Sequence, residues 1–145
     1  MTTVVVGTDG SPNARAALQW AIGYARRNGA LVRVVHAWHY PYGATEAGAM
    51  VAPPMTEFEE AARAALDAAV AEVDTSGIDI ETVLRQGSAA GALLDEAEHA
   101  DMLVVGARGH GGFAGLVLGS VANHCARHAH VPTVVVPATT AGGRT

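Results

Sequence analysis

The 145-residue chain contains no lysine; its nine basic residues are all arginine. That absence excludes a Walker A loop, whose lysine reaches the β- and γ-phosphates. It also excludes Schiff-base and pyridoxal-phosphate chemistry. A phosphate ligand must therefore be held by backbone amides, helix ends or arginine. Cysteine is nearly as scarce: the single Cys125 excludes an internal disulfide and a cysteine-rich zinc site. Charged residues make up only 16% of the chain against 50% apolar, a balance foreign to disordered segments. No apolar run reaches the roughly 18 residues of a membrane span, and the opening MTTVVVGTDGS lacks the basic stretch of a secretory leader. The expectation is a soluble, cytoplasmic protein with no membrane partner. The net charge of −5 argues against a broad nucleic-acid surface. The length suits one domain, large enough to bury about 68–70% of its unfolded surface.

What is present alternates between two periods. Thr3–Thr8 is a β-branched run that stops at Asp9-Gly10 and reads as a buried strand. Ser11 is a good N-cap and Pro12 suits the first position of a helix. That helix has Ala14, Ala17, Leu18, Ala21, Ile22 and Ala25 on one face and stops at Asn28-Gly29. Leu31–Trp38 is a second strand. Residues 39–54 show no period and contain three prolines, which points to a functional lid or a disordered segment. Thr56 and Glu59 form a capping box for a helix with Phe58, Ala62, Ala65, Leu66, Ala69 and Val73 inward, ended by Ser76-Gly77. Ile78–Leu84 alternates as a strand with one better-covered face. Ser88 caps a third helix with the stripe Ala90, Leu93, Leu94 and Ala97. Met102–Gly106 is an apolar strand, followed by a glycine-dense loop and a helix over residues 120–128. Thr133–Val136 lies between Pro132 and Pro137 and suits an edge strand, because proline cannot donate to a ladder. Residues 138–145 read as a flexible tail. Strands alternating with helices imply an α/β fold with a parallel sheet and right-handed crossovers.

Open parallel sheets bind ligands beyond the carboxyl ends of their strands, where strand order reverses. Two strand ends carry unusual residues: Gly7-Thr8-Asp9-Gly10-Ser11, and Gly106 to Gly112 running on to Gly119-Ser120. Glycines allow close backbone approach and positive φ. A Gly-Ser pair at a helix start offers free amides and a hydroxyl at the favourable end of the helix dipole. The result is an anion site that needs no lysine; the alternative is a tight turn and nothing more. Asp9 either meets a ligand or caps its own turn. His124 and His128 have metal-ligand spacing, but no third ligand is fixed beside them, and surface histidines are the alternative. His36 and His39 flank Trp38 and either line the cleft or serve packing and loop polarity. Cys125 falls one turn after Val121 on the inner face of the last helix, as a small core residue. Apart from Asp9, no acid or base stands beside the glycine loop, and there is no Gly-x-Ser-x-Gly elbow. No lysine follows the last strand, as a receiver domain requires, and TDGSPN is a poor phosphate loop for a flavodoxin.

The segments VVVGTDGSPNA and VVGARGHGGFAGLVLGSVANH resemble the universal stress protein family. Its nucleotide-binding members carry G-x2-G-x9-G-[S/T], which here is Gly106, Gly109 and, after nine residues, Gly119-Ser120. The resemblance covers essentially the whole chain. It implies one Rossmann-like domain over residues 1–145, with a five-stranded open parallel sheet of order 3-2-1-4-5, helices on both faces, and ATP between strands 1 and 4. Carried over by position, Thr8 and Asp9 lie at the ribose or metal side. Ala37, where a larger aliphatic residue is common, offers its backbone to the adenine edge. Gly106 and Gly109 pass close to the ribose and phosphates. Gly119, Ser120 and Val121 hold phosphates through amides and the serine hydroxyl, and Arg108 either adds charge or points to solvent. The function implied is a non-enzymatic, ATP-binding stress sensor or regulator, with Mg²⁺ as a possible companion of the nucleotide and an unidentified regulatory protein partner. The alternatives are a slow Mg-dependent ATPase or nucleotidyl-transfer enzyme with Asp9 on the metal, and a dimeric stress protein that binds no nucleotide. The hydrophobic edge strand invites pairing, and the resemblance adds an isologous homodimer through residues 131–137.

Overall fold

Short β-branched runs and alanine-rich stripes sort the described residues into nine elements. The computed structural model describes residues 1–40, 54–109 and 118–137. In order they are β1 (Thr3–Gly7), α1 (Pro12–Asn28), β2 (Leu31–Trp38), α2 (Met55–Ala71), β3 (Asp79–Gln86), α3 (Ala89–Ala97), β4 (Met102–Gly106), α4 (Ser120–His128) and β5 (Thr133–Val136). The strands form one parallel sheet in the order β3-β2-β1-β4-β5. This is the order that the family resemblance implies. The direction of progress along the sheet reverses between β1 and β4, which places a cleft at their carboxyl ends.

Period-2 alternation sends the strand residues to two cores. Val4, Val6, Val32, Val34 and Val104 pack against α1 and α2, with Leu18, Ile22 and Leu66 among their partners. Val5, Val35, Leu103 and Val105 pack against α3 and α4, where Leu93, Ala122 and Cys125 lie. Val4, Val5 and Val6 are wholly buried because β1 is covered on both faces and flanked by strands on both sides. The alanines of α1 let it lie close to the sheet: Ala17, Ala21 and Ala25 are at most 1% exposed. Ser11 caps α1 by accepting from the Ala14 N–H at 3.2 Å, and Gly29 ends it at φ +68°.

The expectations for the middle of the chain need correction. Pro54 is the N-cap of α2 and no side chain caps it, so Thr56 sits inside the first turn and the Thr56–Glu59 capping box does not form. The helix stops at Ala71, before Ser76-Gly77. Those residues form a separate turn in which Asp74 accepts from the Ser76 amide and hydroxyl, and Arg26 donates to the Asp74 and Ser76 carbonyls. The Ser76 hydrogen bonds hold the Asp74 carboxyl below its usual range. Ala65 is exposed, while Val70 packs against the core in its place. β3 runs two residues beyond Leu84, because its pairing with β2 continues through Arg85 and Gln86. β1 ends at Gly7, with Thr8 adding one more rung to β2.

The final strand is an edge as expected, with β4 its strand neighbour among the described residues. Residues 41–53 of the expected lid, residues 110–117 of the glycine loop and the 138–145 tail lie outside the described residues. No helix among the described residues is long and apolar enough to cross a membrane.

Candidate functional site

The cleft encloses about 490 Å³ at the carboxyl ends of β1 and β4. Its first wall is the turn after β1. The Thr8 N–H donates to the Val35 carbonyl at 2.9 Å, and Thr8 Oγ1 accepts from the Gly10 N–H at 3.2 Å. Asp9 Oδ1 accepts from the Ser11 N–H at 2.9 Å, and Gly10 takes φ +81°. Asp9 therefore does cap its own turn, and it also lines the cleft.

The second wall is the chain after β4. A Cβ at Gly106 would stand 2.8 Å from the Asn13 carbonyl oxygen. Glycine is required there for β4 to meet the start of α1, whether or not a ligand is present. A Cβ at Gly109 would stand 2.7 Å from Asp9 Oδ2, so the missing side chain lets the two walls approach. The Gly119 N–H donates to the Ala107 carbonyl at 2.7 Å, which draws the start of α4 onto this loop. Among the described residues the positive-φ glycines are Gly10, Gly29, Gly77 and Gly87. Gly106, Gly109 and Gly119 thus serve proximity rather than an unusual dihedral angle.

Gly119 is the N-cap of α4 in extended backbone, and no side-chain cap is made. The first intrahelical bond runs from the Asn123 N–H to the Gly119 carbonyl at 3.0 Å. The amides of Ser120, Val121 and Ala122 precede it and have no partner within the helix. All three residues line the cleft, at the positive end of the helix dipole.

The floor comes from the strand face and α3. Val35, Ala37 and Leu93 line it. A Cβ at Gly7 would stand 2.7 Å from Leu93 Cδ1, so the bare Gly7 makes room for Leu93 across the end of β1. Thr8, Asp9, Ala37, Gly106, Arg108, Gly109, Gly119, Ser120 and Val121 all line this single cleft. Sequence reasoning missed Leu93, Val35, Ala89 and Asn123 as lining residues. One signal for Leu93 was available: a glycine at an inward strand position marks a close approach. Among the described lining residues, Asp9 is the acid and Arg108 the base.

The remaining candidates fall outside the cleft. His124 and His128 meet as tilted rings with centres 4.5 Å apart and planes inclined at 41° on an exposed surface, while His130 lies 3.3 Å from Glu98 instead of joining them. No group of three His, Cys, Asp or Glu that holds a metal occurs among the described residues. Cys125 is fully buried, and burial pushes its thiol up to about 11. His36 does not line the cleft; alternation puts it on the Val32–Val34 side of β2.

Sheet order, the cleft at the switch point and glycines that draw its walls together define an open parallel α/β domain with a ligand-sized cleft. The model of the universal stress protein family matches residues 1–137, and the chain belongs to that family. A universal stress protein of Mycolicibacterium smegmatis is 35% identical over 137 residues, covering 92% of this chain and 45% of its own length. The chain spans about half the length of the curated relatives it matches. A solved universal stress protein in complex with cAMP is 30% identical, with TM-score 0.62, over 95% of this chain and 98% of that one. A family protein of Arabidopsis thaliana with AMP bound shares the fold at TM-score 0.67 and 20% identity, over 97% and 94% of the two chains.

Proposed function

We propose that the cleft binds an adenine nucleotide, ATP with Mg²⁺ in its full form, and that the protein is a cytoplasmic stress sensor or regulator rather than an enzyme. The observation that carries this reading is the start of α4, where three amides without intrahelical partners line an apolar-floored cleft. A helix N-terminus attracts phosphate without any lysine. Ser120 adds a hydroxyl and Arg108 a guanidinium beside the phosphates, and Gly106 and Gly109 let the ribose approach. Ala37 presents its peptide edge to the base over Val35 and Leu93. The cAMP complex of the 30% identical relative supports an adenine ligand. Mg²⁺ fits the donor set, because it binds through one or two carboxylates with waters and substrate phosphates, and Asp9 supplies a carboxylate. When bound, the metal would neutralise phosphate charge. Asp9 and Thr8 then form the ribose and metal side of the site.

In this reading residues 1–145 act as one domain. A regulatory protein reads the nucleotide-bound state. The test is release of a nucleotide on denaturing the purified protein, with its identity read by chromatography. An empty protein with no thermal shift on adding adenine nucleotides would overturn the reading. The enzymatic alternative rests on Asp9, and turnover well above background with added Mg²⁺ would establish it.

The reading includes an isologous homodimer through residues 131–137. Leu103 and Ala107 donate their N–H groups to the Pro132 and Val136 carbonyls at 2.9 and 2.8 Å. The two-residue period then turns the Thr133 and Val135 backbone groups to the open edge. Val135→Pro leaves the β4 ladder intact and blocks that edge, so monomers are expected in sedimentation. A soluble dimeric variant would refute this interface.

A further inference from the structure

The β1–β2 ladder stops where a further rung is within register. Odd residues of β2 face β1: the Leu31 N–H donates to the Thr2 carbonyl, and the Val35 carbonyl accepts from the Thr8 N–H, both at 2.9 Å. Even residues face β3, since the Trp38 carbonyl accepts from the Gly87 N–H at 2.8 Å. Period 2 then assigns the next rung to the Ala37 N–H and the Thr8 carbonyl. That rung is not made. The Thr8 carbonyl is held instead by His36 Nδ1 at 2.9 Å, from the opposite face of the strand. A carbonyl oxygen only accepts, so the ring donates and its proton is on Nδ1.

We infer that His36 is a positioning residue of the base slot: by taking the Thr8 carbonyl it ends the ladder at Val35 and leaves the Ala37 peptide edge open to a ligand. The recognised group is a planar base with a donor and an acceptor side by side, as on the Watson–Crick edge of adenine. His36 itself touches no ligand. It acts through the direction of the Thr8 carbonyl, which also sets the position of Asp9 one residue on. The inference rests on the adenine-binding reading of the cleft for its purpose, but the ladder switch is a property of the free protein.

The experiment has two arms. In the ligand-free protein, nitrogen-15 NMR should show the His36 proton on Nδ1, and the Ala37 amide should exchange with solvent much faster than the Val35 amide. In His36→Leu the Thr8 carbonyl is released, so the Ala37 amide should become protected. His36→Asn, whose side-chain amide stands in for the Nδ1 donor, should keep it open. In the binding arm, calorimetry with ATP should show a loss of about tenfold or more in His36→Leu and recovery to within about threefold in His36→Asn. A merely structural role would not be rescued by asparagine. If His36→Leu does not fold, the proton position and the Ala37 exchange of the wild type decide the matter. An Nε2 proton, a protected Ala37 amide in the wild type, or wild-type affinity in His36→Leu would overturn the inference. If the wild type binds no adenine nucleotide, the functional reading fails while the free-protein arm still decides the ladder switch.

Discussion

Three helices begin beside the cleft, and two of them begin differently from the third. The Ser11 hydroxyl accepts from the Ala14 N–H at the start of α1, and the Ser88 hydroxyl accepts from the Gly91 N–H at the start of α3. The same Gly-Ser pair precedes or opens all three helices, but at α4 the helix starts one residue sooner: glycine holds the cap position and serine follows it inside the helix, with no side-chain cap. Replacing a serine cap by glycine costs only a few tenths of a kcal/mol. The protein therefore leaves three amides and a hydroxyl at the cleft for a small loss of helix stability. Neither Asp nor Glu stands in the first turn of α4 to compete with an anion. The difference separates two helix starts closed by their own serine from one left open to the cleft.

The largest expected effect comes from filling the open start with a charge of its own. Ser120→Asp places a carboxylate at the first position of α4, where the dipole favours it, so the apo protein should gain about 0.3–1 kcal/mol. The same carboxylate repels phosphate, and ATP affinity should fall by roughly 100-fold or more. Calorimetry and thermal denaturation read both signs; undiminished binding would make α4 a helix start like the others. Ser120→Ala should weaken binding by about 1.5–3 kcal/mol through the lost hydrogen bond, with apo stability unchanged, since Ser120 is exposed and caps nothing. Gly119 is a poorer target, because it is buried and a Cβ there would press to 3.2 Å from Arg108 Cα.

The capped starts should answer in the opposite way. Ser11→Ala should cost about 1–2 kcal/mol in chemical denaturation, because Ser11 is only 2% exposed and water cannot replace it at the Ala14 amide. Ser88→Ala, at an exposed cap, should cost about 0.5–1 kcal/mol. Equal losses would show that burial does not matter to these caps. The smallest effect concerns Cys125, one turn beyond Val121. Its folded pKa of about 11 stands above the ordinary 9.0, because burial disfavours the thiolate. Stability from this group is complete below pH 9 and is lost as pH rises toward 11. At pH 8 a thiol reagent should label the unfolded chain and spare the native one.

Local signals located most elements. The bounds of β2, β4 and β5 and the serine caps of α1 and α3 follow from β-branched runs, flanking prolines and cap residues. Thr56 misled because a hydroxyl three residues before Glu59 has the right spacing, yet Pro54 starts the helix earlier and places that hydroxyl inside the turn. Ser76-Gly77 misled because a turn signal does not say which element it ends. Arg26 of α1 reaches across to that turn, a contact 48 and 50 residues away that no local pattern contains. In the site, the glycine spacing was legible, but its meaning was mixed. Gly106 answers to the Asn13 backbone, and Gly109 to Asp9.

The sequence by itself determined the alternation of strands and helices, the serine caps of α1 and α3, the Gly-Ser pair at the start of α4, and the exclusion of any lysine-held phosphate. These depend on side-chain type and on spacing within one or two turns. Tertiary structure alone decided that Leu93 lies beneath Gly7, that Asp9 meets Gly109, and that His36 takes the Thr8 carbonyl from Ala37. Each joins residues far apart in the chain. Such contacts follow from the register of parallel strands and the packing of helices across them, which no local period encodes.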